Sequence, residues 1–355
     1  VASGYGSIDN LFPEPKDAFL FGNMSYLNIN SKSVINILND MGIELNNYSV
    51  IRNIGNISFN GEISGFVSKL VTYGNVKCGI GNVSADMLLE SDEGLNFKGK
   101  VKSNNINIGK LVTDKGLGNV AFDLNLNGKH SDTINKGKVE GEINLFEYNN
   151  YQYNNIAINA LYNDKEYNGS VSLNDTNIVL NLDGMMNLSE RNKEFALKIK
   201  GDSIRLNDIN LTKRYENSVL NFDIEANFTG DRIDNADGLI AINRLEFKNN
   251  GLEYNMNGAY IEANNSNTPQ YIALESEIIE GHITGNYTFS SLKNSVLGVL
   301  SEVMPSFIDK VEAIECNNSF EFEFVIPDTE NLTRTLELPF MLSDKSIING
   351  YYNDS

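Results

Sequence analysis

The chain has 355 residues, and its 47 acidic side chains outnumber 28 basic ones for a formal charge of −19. Such a surface repels polyphosphate backbones, which argues against nucleic acid as a partner. Tryptophan is absent, proline is scarce, and Asn and Gly recur where turns are expected, the composition of a β-rich chain with short connections.

Taken in order, residues 1–16 lack periodicity and carry Gly4, Gly6, Pro13 and Pro15, so 1–28 is expected to be an irregular lead-in followed by a first strand over Phe19 to Ile29. From 29 to 289 the pattern predicts one continuous β-region. It is interrupted near 31–41 by a short helix in which Val34, Ile35, Leu38 and Met41 recur at helical spacing, with Ser31 or Ser33 as cap and Gly42 as stop. The stretch from Ile54 to Gly128 then alternates with period two. Ile57, Phe59 and Ile63 share a side, as do Val83, Ala85, Met87 and Leu89, then Leu95, Phe97 and Val101, then Val120, Phe122, Leu124 and Leu126. Asn60-Gly61, Asp92 to Gly94 and Lys115-Gly116 are the expected turns of this meander.

Further strands are predicted over Lys138 to Leu145, Tyr148 to Tyr162 and Tyr167 to Leu173, the last placing Val171 and Leu173 inward. Asn174-Asp175 is read as a turn into Ile178 to Leu182, with Leu180 and Leu182 inward, and Met185 to Leu188 pairs as a hairpin with Phe195 to Ile199. Leu220, Phe222, Ile224, Ala226 and Phe228 form a long alternating strand. Leu239 to Phe247, Leu252 to Tyr260, Tyr271 to Ile278 and His282 to Phe289 follow, placing Tyr287 and Phe289 inward. Residues 290–312 switch to helical spacing, with Leu292, Val296, Leu300 and Val303 on one face, and read either as cover for the sheet or as a gate over it. Residues 313–355 return to strands, through Phe320, Phe322, Phe324 and Ile326 and a last one over Leu336 to Leu342. No run approaches the ~18 apolar residues of a membrane helix, and the chain reads as a soluble internal piece of something longer.

The run NISFNGEISGF at 56–66, followed by LVTYG at 70–74, resembles the repeated signature of TamB proteins, the translocation and assembly module subunit, in the Bacteroidetes-type form, and of their AsmA-like relatives. GNVSAD at 81–86, FKGKV at 97–101, NIGKL at 107–111 and LGNVAF at 117–122 continue the likeness in order, which covers about 55–307. The resemblance implies an all-β chain whose long antiparallel sheet curls into a groove, with one or two short amphipathic helices. It also implies phospholipid or another lipid as cargo, an Omp85-type outer-membrane barrel as partner, and a place in the periplasm of a Gram-negative bacterium. An inner-membrane anchor would lie outside this segment.

Physical argument is consistent with such a groove. About twenty strands exceed the ~10 that an open sheet accommodates without curling or splitting, and few helices are available to cover the apolar side. Periodicity alone leaves stacked sandwiches open, and with them a structural or adhesive surface protein as the alternative. A trough of Phe, Leu, Ile and Val would remove the penalty of about 12 kcal/mol for exposing a sixteen-carbon tail to water.

The search for chemistry finds no enzyme and no cofactor. His130 and His282 have no ligand partners at metal spacing, and Asp231, Asp234 and Asp237 miss the EF-hand pattern. Gly79 and Gly81 lack the rest of a phosphate loop, and no GxSxG occurs. Tyr148, Tyr151, Tyr153 and Tyr162 are expected to form an aromatic patch by cross-strand packing, with sugar stacking as the other option. Cys78 and Cys316 fit either free thiols or a mutual disulfide.

Overall fold

The computed structural model describes residues 2–10, 17–40, 49–91, 94–112, 114–189, 193–289, 291–292, 318–327, 329–338 and 345–353. The chain is all-β: about 69% of it is strand and 9% helix, in one long antiparallel sheet of 20 strands with a few short helices. It divides into two compact units, residues 1–176 with 209–211, and residues 177–208 with 212–355.

Unit 1 is a meander. β1 (Ala2–Asp9) pairs with β2 (Phe19–Ile29), and β2 with β3 (Ile57–Phe66). The order continues through β4 (Lys69–Cys78), β5 (Gly81–Ser91), β6 (Leu95–Asn107), β7 (Leu117–His130), β8 (Asn135–Tyr148), β9 (Tyr151–Asn163) and β10 (Glu166–Asp175), each paired antiparallel with the one before. Two helices, α1 (Ser31–Asp40) and α2 (Ser49–Ile54), lie between β2 and β3, and α3 (Ile108–Val112) precedes β7. The α1 N-terminus is capped by Asn30, whose side-chain oxygen accepts the Ser33 amide at 2.8 Å, rather than by Ser31 or Ser33. Between β8 and β9, Asn149 and Asn150 take φ of +48° and +62°, which gives the two-residue turn whose twist suits a hairpin.

Several expectations are corrected. Ala2–Asp9 is a fully exposed strand rather than an irregular lead-in, because Gly4 and Gly6 let it run flat beside β2, where a Cβ would strike the Asn23 and Phe21 carbonyls at about 2.4–2.5 Å. Asn60-Gly61 is no turn but the middle of β3, where Gly61 stands opposite Gly74. Asn174 and Asp175 end β10 instead of turning. The stretch read as unbroken strands also contains α3, over residues 108–112 of the family-like run.

Unit 2 repeats the meander. β11 (Ile178–Leu188), β12 (Lys193–Ile204), β13 (Ser218–Thr229) and β14 (Asp237–Asn249) pair in sequence. The expected strand over Leu252 to Tyr260 is two, β15 (Leu252–Met256) and β16 (Ala259–Asn264), broken where Gly258 adopts φ +83°; both pair with β14. β17 (Gln270–Ser276), β18 (Glu280–Asn286), β19 (Ser319–Ile326) and β20 (Ser346–Asn353) complete the order. Leu336 does not begin a last strand: it caps the C-terminus of α4 (Glu330–Thr335), and residues 339–342 lie outside the described residues.

Candidate functional site: an apolar face built strand by strand

Directly opposed residues of an antiparallel pair share a face, so the register decides whether strand-by-strand alternation adds up to one surface. In unit 1 it does. Leu27, Phe59, Val76 and Val83 stand opposite one another from β2 to β5, with Ile57 opposite Ile29 and Ile63 opposite Gly22. Leu70, Leu89 and Phe97 make the next row, and Met87 lies between Thr72 and Gly99, which in turn faces Leu126. Ala85, Val101, Leu124, Gly141, Ile158 and Val171 align from β5 to β10, and Phe122, Ile143, Ile156 and Leu173 from β7 to β10. Bulges in β6 between Ser103 and Ile106, and in β8 between Ile143 and Leu145, bring Ile106 and Phe146 opposite Val120, which preserves the face.

At three of the glycines that leave this face without a side chain, a neighbouring ring lies across the gap. The Phe59 ring covers Gly61 and Gly74, and Tyr162 covers Gly137. The opposite face is polar: Asp123 accepts from Lys100 at 2.8 Å and faces Lys102 at 3.6 Å. The Lys100 ammonium holds the Asp123 carboxyl below its usual range, against a smaller desolvation effect of opposite sense.

Unit 2 has the same construction. Leu182, Ile199, Ile224 and Ile242 oppose one another, as do Leu180, Gly201, Phe222 and Leu245, while Leu220 lies between Ile204 and Phe247. A third row joins Phe195, Phe228, Gly238, Ala263, Ile272, Ile283 and Phe322, with the Phe195 and Phe228 rings stacked 4.6 Å apart. The alternate residues carry the charges, with Arg244 2.7 Å from Asp202 and Lys198 3.2 Å from Glu225.

Of the residues expected inward, Val120, Leu173, Ala226, Tyr287 and Leu292 are buried, Leu95 is exposed, and the other described ones are half-buried. A packed core would bury large apolar side chains almost completely. The rows are apolar and incompletely covered.

Among the described residues, two places in unit 2 are closed. At one, Tyr254, Met256 and Ala259 pack with Leu332 of α4, and the helix end is tied down by Asn249, whose Nδ2 donates to the Thr335 carbonyl at 3.0 Å. At the other, Tyr287, Leu292 and Phe320 pack against Ile272, Ile283 and Phe322. Tyr287 and Phe289 are therefore not in a strand, since β18 ends at Asn286. The Tyr287 hydroxyl donates to Asn265 Oδ1 at 2.9 Å, and burial pushes its pKa up to about 12. Leu292 is buried beside Tyr287 and Phe320, whereas Val296, Leu300 and Val303 of the expected helix lie outside the described residues.

A pocket of about 560 Å³ opens on the unit 2 face, lined by Phe195, Phe228, Ile240, Ile261, Ile272 and Phe289, with Lys193, Asp231 and Arg232 at its charged side. Sequence reading singled out neither cation. The available signal was their position two and four residues outside the two stacked phenylalanines.

The remaining sequence candidates are spent on local structure. Asp231 accepts from Asn235 Nδ2 at 2.9 Å, the Asp234 carboxylate accepts the Phe289 amide, and Asp237 accepts the Ser266 amide at 2.9 Å. Among the described residues no group of His, Cys, Asp and Glu is arranged to hold a metal. The tyrosine patch splits: Tyr151 and Tyr153 meet edge to face at 4.8 Å, while Tyr162 lies over Gly137. Cys78 is a free thiol 3.3 Å from the Gly81 carbonyl, and Cys316 is outside the described residues. Searches against protein-family models, curated proteins and solved structures return no match to this chain.

Proposed function

We propose that this protein is a non-enzymatic lipid-conducting segment, in which the apolar rows receive acyl chains while head groups stay in water. One observation carries the reading: in each unit, hydrophobic positions of successive strands stand opposite one another in rows, with glycines such as Gly141 and Gly201 among them, and remain mostly half-buried. Transport along such rows requires near-equal affinity from strand to strand, because a deep well would hold the lipid. Repeated Leu, Ile, Val and Phe supply that uniformity better than a single specific pocket does.

The resemblance of 56–122 to TamB and AsmA-like proteins supplies the setting for the proposal. The segment would sit in the periplasm as part of a bridge anchored in the inner membrane through a portion outside it, serving phospholipid delivery, outer-membrane protein assembly or both, with an Omp85-type barrel as partner. Gentle purification followed by native mass spectrometry tests the reading. Co-purifying phospholipid is expected, and Phe222→Asp should raise a local barrier of about 2–4 kcal/mol, slowing passage roughly 30- to 1000-fold. A lipid-free protein that also fails to take up phospholipid from vesicles would overturn it.

A further inference from the structure

The unit 2 pocket differs from the rows around it in having charge beside its apolar wall. We propose that it is a head-group station, binding one long-chain amphiphile with an anionic head, the chain against Phe195, Phe228 and Ile261 and the head against Lys193 and Arg232. The inference rests on the reading of the apolar rows as a lipid surface and deepens it.

Size, chemistry and charge agree. The volume of about 560 Å³ falls within the ~300–1,000 Å³ of ordinary ligand sites. The stacked Phe195 and Phe228 rings and the small Gly238 and Ala263 beside them leave a flat apolar slot suited to an alkyl chain. In a chain of net charge −19, two cations flank this slot. Both lie near Asp231, but loosely, with Lys193 Nζ at 3.8 Å and Arg232 Nε at 3.6 Å. Asp231 has its own partner in Asn235, which holds its carboxyl below the usual range. The nearby Asp234 and Asp237 carboxylates are turned to the Phe289 and Ser266 amides. An incoming phosphate or carboxylate can therefore share Lys193 and Arg232 without displacing a tight ion pair, and with Asp231 it leaves the mouth close to neutral.

The test titrates the intact protein with n-dodecyl phosphate, n-dodecyl maltoside and dodecyltrimethylammonium, each below its micelle concentration, by calorimetry. The phosphate should bind at least ten-fold more tightly than the maltoside, and the ammonium more weakly than either. In Lys193→Gln/Arg232→Gln the phosphate-to-maltoside ratio should fall to about one. Ala263→Trp, which fills the slot, should remove binding of all three. Lengthening the alkyl chain should tighten binding roughly four-fold per methylene until the slot is full. Equal affinity for phosphate and maltoside would overturn the head-group station and leave the lipid surface standing. Binding of none of the three, with native circular dichroism retained, would sink both.

Discussion

The two units use the same strand pattern and finish it differently. In unit 1 the inward rows are mostly half-buried, with Val120, Ile156 and Leu173 buried, and gaps at Gly61, Gly74 and Gly137 are bridged by the rings of Phe59 and Tyr162. In unit 2 the rows end against packed residues, Tyr254, Met256 and Ala259 under Leu332 in one place and Tyr287, Leu292 and Phe320 in another. Alternation thus makes a face, and covering it is a separate decision taken by residues outside the strands. A half-buried phenylalanine keeps part of its area in contact with water or ligand, so its contribution to folding is smaller than that of one enclosed on all sides.

Mutations sharpen this contrast. Phe320→Ala, at 4% exposure and touching Tyr287 and Tyr352, should cost about 3–5 kcal/mol in urea unfolding followed by circular dichroism. Phe59→Ala should cost less, about 1–2 kcal/mol, and a loss equal to that of Phe320→Ala would show that the unit 1 rows are enclosed after all.

Next in size is Tyr287. Tyr287→Phe removes the donor to Asn265 and should cost about 1 kcal/mol. Because the folded pKa lies above the ordinary tyrosine value of about 10, this group favours the fold below that value. Its contribution is lost as pH rises through the folded pKa of about 12, and absorbance titration of the phenols should show one group ionising late. Tyr254→Phe should go the other way. Its buried hydroxyl has no hydrogen-bond partner among the described residues, so deleting the oxygen should be neutral or stabilising by up to about 1 kcal/mol in the same unfolding assay.

Smallest is Asp123→Asn on the solvent face, expected to change stability by less than about 1 kcal/mol, since the Lys100 and Lys102 pairs are exposed. Its carboxyl pKa is lowered by folding, so the contribution is present above the unfolded value and fades as pH falls through the folded one. Unfolding midpoints of wild type and variant should therefore converge in acid.

Period two made the faces readable from sequence alone: β2 runs over Phe19–Ile29 as expected, and every predicted inward residue of β13 shares one face. What alternation cannot carry is register between strands, since Ile106 falling opposite Val120 depends on a bulge after Ser103 that no single strand announces. Glycine was ambiguous for a related reason. Asn60-Gly61 has turn chemistry, yet Gly61 serves to bring the Phe59 ring down onto the sheet. The pocket was the least legible feature, because Lys193 and Arg232 lie 39 positions apart and only the β12–β13 pairing brings their strands' ends together.

The claim that decides the account is that one side of the strands meets lipid and the other does not. Photo-crosslinking amino acids placed in cells at Phe222 and Asp223, and at Leu124 and Asp123, test it on adjacent residues whose cross-strand partners are apolar for the first of each pair and charged for the second. Lipid captured at Phe222 and Leu124 only is the expected result. Equal capture at both members of each pair, or none at any position, would contradict it.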